Sequence, residues 1–210
     1  MNITPVTTTD PEVININYDS VLPFSIDGLH GNQYILPKVK VEVSGRSMSE
    51  PVKEIALNSM IDQIYPEASF AEQKFMVRAV LPERTFLEKV FLLHEEFAKP
   101  KDLIRVERMS RHMYDIGQMM KTPIAERAIN DKDLYRQVVE HRRTFIGLRG
   151  FDYDTLYPAT LNIVPPASII EQWKIDYENM RLHMIYGESE PFDMLVENLT
   201  KLNAKINQIK

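Results

Sequence analysis

Hydrophobic and polar positions change period partway along the chain. Residues 13–18 (Val-Ile-Asn-Ile-Asn-Tyr) alternate loosely, and residues 38–43 alternate strictly, with Val39, Val41 and Val43 on one face and Lys40 and Glu42 on the other. A period of two is the mark of strands with one buried face. A short helix is expected around 54–64 and a strand around 75–81. From Pro82 onward the apolar residues recur at helical spacing. Phe86, Val90, Leu93 and Phe97 form one stripe, opened by Pro82. Val106, Met109, Met113, Ile116 and Met120 form a second, stopped by Thr122-Pro123, and Leu134, Val138, His141 and Phe145 a third. Trp173, Tyr177, Met180 and Met184, then Phe192, Leu195, Leu199, Leu202 and Ile206, mark two last helices. Each of these has an acidic opposite face, which predicts an antiparallel pair. No internal repeat is present. The pattern predicts an α+β protein, with a β-rich part over residues 1–81 and a helical bundle over 82–210.

Composition removes several chemistries. None of the 210 residues is cysteine, which excludes disulfide scaffolds, thiolate metal sites and thiol catalysis, and suits a reducing compartment. No apolar run approaches the roughly 18 residues of a membrane span, and the N-terminus is polar where a signal peptide is basic and then apolar. A cytoplasmic protein is expected. The net charge of −5 argues against general coating of nucleic acid. The charge is unevenly spread, however: residues 98–150 carry twelve Lys/Arg against seven Asp/Glu. A basic middle in an acidic chain fits either a local anionic partner or the solvated faces of several amphipathic helices.

Two helical stretches carry candidate chemistry. In Arg84-Thr85-Phe86-Leu87-Glu88-Lys89, Thr85 and Lys89 share a face away from the apolar stripe, with Arg84 at its margin. A hydroxyl and two cations near a helix N-terminus can hold an oxyanion or a phosphate, or can be an ordinary solvated first turn. In Arg108-Met109-Ser110-Arg111-His112-Met113-Tyr114-Asp115, one acid stands among several bases opposite a methionine stripe. Asp115 could hold a metal or orient a cation in a nucleotide site. It could equally pair with Arg111 along the helix, worth about 0.3–0.5 kcal/mol. His141 lies on an apolar face and reads as a hydrogen-bonded core residue. There is no His-x-x-x-His pair, no phosphate-binding glycine loop and no Gly-x-Ser-x-Gly elbow.

In order, the chain carries Leu-Pro-x-Arg-Thr-Phe-x-Glu-Lys followed by Leu-His at 81–94, Ser-Arg-His-x-Tyr-Asp at 110–115 and Val-Val-x-His-Arg-x-x-Phe at 138–145. Asp176-Tyr177-x-x-Met180 and Pro191-Phe192 follow. Together these motifs resemble the AbiEii-type nucleotidyltransferase toxins of bacteria, the toxin half of type IV abortive-infection modules, over residues 37–206. The resemblance implies a polymerase-β-like nucleotidyltransferase domain followed by a helical domain, with an NTP bound between them. It implies Mg²⁺-assisted transfer of a nucleoside monophosphate, in some members to tRNA acceptor ends, and an antitoxin encoded nearby. It places Lys89 on the triphosphate and Asp115 as the late aspartate that completes the active site, which agrees with the phosphate reading of Arg84, Thr85, Lys89 and Arg111.

The chain departs from the family at one point. The family's first motif is a Gly-Ser turn followed by an Asp-x-Asp/Glu pair, whose carboxylates hold the two ions of the reaction. This sequence has no Gly-Ser dipeptide. Its Asp-x-Asp triplets, Asp131/Asp133 and Asp152/Asp154, fall at a helix start and in a loop. Glu42 stands where such a domain carries its third carboxylate and is the metal-binding candidate. The expectation is a nucleotidyltransferase-type chain that is incomplete and inactive alone, or else a remnant that binds nucleotide, RNA or a protein. Without the family's first strands, the strand of Glu42 needs a new neighbour, supplied by residues 13–18 or by a second copy in a homodimer.

Overall fold

The computed structural model describes residues 4–6, 13–18, 38–43 and 50–209. The first sheet has the order β1 (Thr4–Val6), β2 (Val13–Asn17), β3 (Lys38–Glu42), antiparallel throughout. Residues 13–17 therefore sit beside the strand of Glu42 in register, with Ile14 opposite Val41 and Ile16 opposite Val39. Alternation on both strands places these four apolar side chains on one face of the sheet.

The second sheet is a hairpin of β4 (Val52–Leu57) and β5 (Phe75–Val80). The helix expected over 54–64 is present only as α1 (Met60–Ile64). Ser59 fixes its start: the Ser59 hydroxyl accepts from the Asp62 N–H at 3.0 Å, and the Asp62 carboxylate accepts from the Ser59 N–H at 3.3 Å. Residues ahead of this capping box have no helical partner and pair with β5 instead. The hairpin joins the helical part where the Leu81 N–H donates to the Pro51 carbonyl at 3.1 Å.

Pro82 then opens α2 (Pro82–Phe97), whose Phe86, Leu87, Val90, Phe91 and Leu93 are fully buried. Around it pack α3 (Ser110–Met120), α4 (Ile124–Asn130) and α5 (Lys132–His141). Phe91 meets Tyr135 edge-on at 4.9 Å, and Phe97 meets Trp173 at 4.8 Å. The last helices, α6 (Ile170–His183) and α7 (Phe192–Asn207), both pack on α3 and touch each other through Tyr177 and Phe192. Gly117 of α3 permits the approach of α7, since a Cβ there would come within 2.6 Å of Leu195.

As expected, the second stripe stops at Thr122-Pro123: α3 ends at Met120, and α4, which buries Ala125, Ala128 and Ile129, starts directly after Pro123. Two expectations need correction. Phe145 leaves the third stripe, because α5 ends in a wide turn over Arg142–Ile146; its ring is half exposed and stacks on His141 at 4.7 Å. Met184 likewise lies beyond the end of α6 and is exposed. Among the described residues, no helix is long and apolar enough to cross a membrane.

Candidate functional site

Lys89 and Asp115 meet. Lys89 projects from the third turn of α2 away from the Phe86–Val90 core, and its Nζ lies 2.7 Å from an Asp115 carboxylate oxygen on α3. Both side chains are partly exposed, at 22% and 38%. The acid of α3 therefore pairs across helices; among the described residues no ion pair joins it to Arg111 on its own helix. The Asp115 carboxylate is thus paired with a lysine of the neighbouring helix. Thr85 lies one turn before Lys89 on α2, half-buried, and Arg111 lies one turn before Asp115 on α3, also half-buried.

The placement of α3 rests on a residue far away in sequence. Met109, which precedes the helix, offers no capping side chain. Asp176 of α6 takes that role: its buried carboxylate accepts from the Arg108 N–H at 2.7 Å, the Ser110 N–H at 3.0 Å and the Ser110 hydroxyl at 2.5 Å. It also secures the left-handed Arg108 backbone, with φ of 58°. Asp176→Ala is expected to cost about 1–3 kcal/mol of stability, measured by urea denaturation, because it strips a charged acceptor from three buried or part-buried donors. A loss under about 0.5 kcal/mol would mean that α3 caps itself.

His112 belongs to the same face. Burial first, then the Lys89 and Arg111 charges, push its imidazole down to about 4, so the ring is neutral at pH 7. Among the described residues, its buried Nδ1 has no hydrogen-bond partner.

Arg84 is placed differently from Thr85 and Lys89. Its side chain is buried, its Nε and Nη2 donate to Glu88 at 3.1 and 2.8 Å, and Nη1 donates to the Glu50 carbonyl at 3.4 Å. It ties the hairpin to α2. Glu42 lies exposed on β3 and pairs with Lys40 of the same face. Asp131 caps α5 by accepting from the Leu134 N–H at 2.9 Å, and Asp133 is solvent-exposed. Asp152 caps the turn at Asp154, which in turn binds Arg143 at 2.6 Å. Among the described residues, no group of three or more His, Asp or Glu side chains could hold a metal ion. These residues do not fit a two-ion Mg²⁺ centre.

Much of the basic middle is neutralised by acids on other elements. Arg105 binds Glu96 at 2.7 Å, Arg127 binds Glu83 at 2.6 Å, and Arg142 binds Glu95. The positive excess of 98–150 is thus in part the glue between helices. Sequence reasoning missed Asp176, His112, Glu95 and Glu96 as organising residues. The first two could have been suspected from their place in quoted motifs, whereas a Glu-Glu pair on a helix carries no local sign of burial.

A sequence model of the family described as "Nucleotidyl transferase AbiEii toxin, Type IV TA system" matches residues 2–198. The match takes in the N-terminal residues that the motif resemblance, beginning near residue 37, left out. Neither the curated proteins nor the solved structures give a match to this chain.

Proposed function

Because the chain belongs to the AbiEii nucleotidyl transferase toxin family, whose type IV toxin–antitoxin setting implies an antitoxin partner, we propose that the α2–α3 face binds the triphosphate of an NTP. Lys89 is the cation on the phosphates and Asp115 the carboxylate that positions it. Arg111 and Thr85 are flanking phosphate contacts, and Arg84 supports the site from below rather than touching the ligand. One observation carries this reading: two residues of unlike charge, 26 positions apart in sequence, pair at 2.7 Å on a face turned away from the core. A partly exposed pair of this kind contributes little to stability, about 0–1 kcal/mol, so its cation is available to an anion at small cost.

Transfer of the nucleoside monophosphate to an acceptor such as a tRNA end is the chemistry that this binding serves in the family reading. Mg²⁺ would supply charge neutralisation at the phosphates. Since the described carboxylates do not gather to hold it, we infer that the 210-residue chain binds NTP and does not itself catalyse transfer. Titration with a fluorescent ATP analogue, competed by each NTP, tests the first half. Lys89→Ala is expected to weaken binding at least about tenfold, in line with loss of one charge-assisted phosphate contact. No binding by the unaltered protein would sink the proposal. Robust Mg²⁺-dependent labelling of tRNA, lost in Lys89→Ala, would overturn the second half.

A protein-interaction role is favoured by a separate observation. The hairpin exposes Ile55, Leu57 and Phe75 on one of its faces, an apolar group of the kind that marks contact surfaces. Antitoxin binding that survives Lys89→Ala but is lost in Phe75→Asp would locate that role on the hairpin.

A further inference from the structure

His112 and Asp115 are three residues apart on α3, a spacing at which helical side chains meet. They are nevertheless unpaired, because the carboxylate is given to Lys89 at 2.7 Å while the His112 Nδ1 lies buried with no partner among the described residues. A buried ring nitrogen without a partner beside a carboxylate held by a partly exposed lysine is an arrangement with an evident alternative. The charged groups facing His112 are Lys89 from α2, Arg105 from the segment before α3, and Arg111 and Asp115 from α3 itself.

We propose that Asp115 exchanges partners, from Lys89 in the free protein to the Nδ1–H of His112 when a polyphosphate draws Lys89 away, so that His112 is a positioning residue of this site. The inference rests on the reading of Lys89 as the triphosphate-binding cation. Oriented by Asp115, the ring is fixed with its other nitrogen free to face the anion. No covalent bond to phosphorus or carbon changes. Lys89 keeps its proton, and the imidazole, neutral at pH 7, takes a proton from solvent only as the pH falls toward its raised pKa. By linkage, protonation of His112 and binding of the anion favour each other, so affinity rises as the pH falls toward the raised pKa of the bound state.

NMR of the ring nitrogens and ring N–H protons in the full chain tests this, with His112→Gln identifying the resonance among the five histidines. In the free protein, no hydrogen-bonded Nδ1–H signal is expected from His112. In Lys89→Met, without any ligand, the signal is expected to appear and the His112 pKa to rise by about one to two pH units, and the signal is expected to vanish in Lys89→Met/Asp115→Ala. A pKa rise in Lys89→Met with no Nδ1–H signal would report only the lost field of Lys89 and would overturn the exchange. Lys89→Gln serves as a second variant should Lys89→Met fold poorly by circular dichroism. ATP or tripolyphosphate added to the unaltered protein is expected to elicit the same signal. If Lys89→Met shows it and neither anion does, the exchange stands and the triphosphate reading of Lys89 fails.

Discussion

Arg142→Met is expected to lower the stability of the protein by about 3–5 kcal/mol, because it leaves the Glu95 carboxylate charged, buried and alone. The Arg142 Nε donates to one Glu95 oxygen at 2.7 Å and Nη2 to the other at 2.5 Å, a fork-to-fork pair with side chains only 10% and 6% exposed. The pair does topological work. Glu95 stands on the last turn of α2, while Arg142 opens the wide turn that ends α5 and accepts from the Gly147 N–H at 3.1 Å. Losing the guanidinium therefore releases the end of α5 and strands a buried anion on the last turn of α2. Exchanging both partners together, Glu95→Leu with Arg142→Met, is expected to recover most of the loss, since an apolar pair needs no counter-charge. Urea denaturation of the two variants decides the matter. A single-variant loss below about 1 kcal/mol would mean that water reaches the carboxylate.

That pair also marks the boundary of what the sequence could reveal. The α2 stripe was legible because Phe86, Val90, Leu93 and Phe97 follow helical spacing under a proline start, and all four are buried. The meeting of Lys89 and Asp115 was legible for the complementary reason: each residue lies opposite an apolar stripe, so two packed helices can bring them to one face. The pairing of residues 13–17 with 38–42 followed from alternation and length. Partners chosen by tertiary packing were not legible. Glu95 and Glu96 look like a solvated helix end, yet Glu96 is 1% exposed and held by Arg105 and Lys99. Asp176 reads as the acidic face of α6, yet it caps α3 from 66 residues away. Residues 54–57 were misread as helix because Glu-Ile-Ala-Leu suits a helix locally, and only cross-strand pairing with 75–78 decides otherwise. The metal candidate Glu42 was chosen by its position on a strand, and a strand position says nothing about which carboxylates gather around it.

Acidification from pH 6.5 to about 4 is expected to destabilise the protein through its buried imidazoles. His94 is fixed as the neutral tautomer: its Nδ1 accepts from the Asn162 N–H at 2.8 Å, so Nε2 carries the proton and donates to the Thr155 hydroxyl at 3.0 Å. Burial holds its pKa below the ordinary value, and His112 is lowered to about 4 by burial and by Lys89 and Arg111. Both rings thus bind a proton more weakly in the folded chain than in the unfolded one. Stability from this source is fully present above about pH 6.5 and is lost as the pH falls through the folded values. For His112 the loss is on the order of 2–3 kcal/mol after allowance for its partial exposure, and His94 adds to it in the same direction. Glu96, whose pKa is lowered by its bonds to Arg105 and Lys99 against the opposing effect of burial, acts in the same direction at more acid pH. Urea midpoints measured at half-unit intervals separate the two sources. His112→Gln and His94→Gln should each flatten the slope between pH 6.5 and 4.5 and leave the steeper acid limb in place. A slope unchanged in the double variant would place the acid sensitivity on the carboxylates and leave both imidazoles titrating as they do in water.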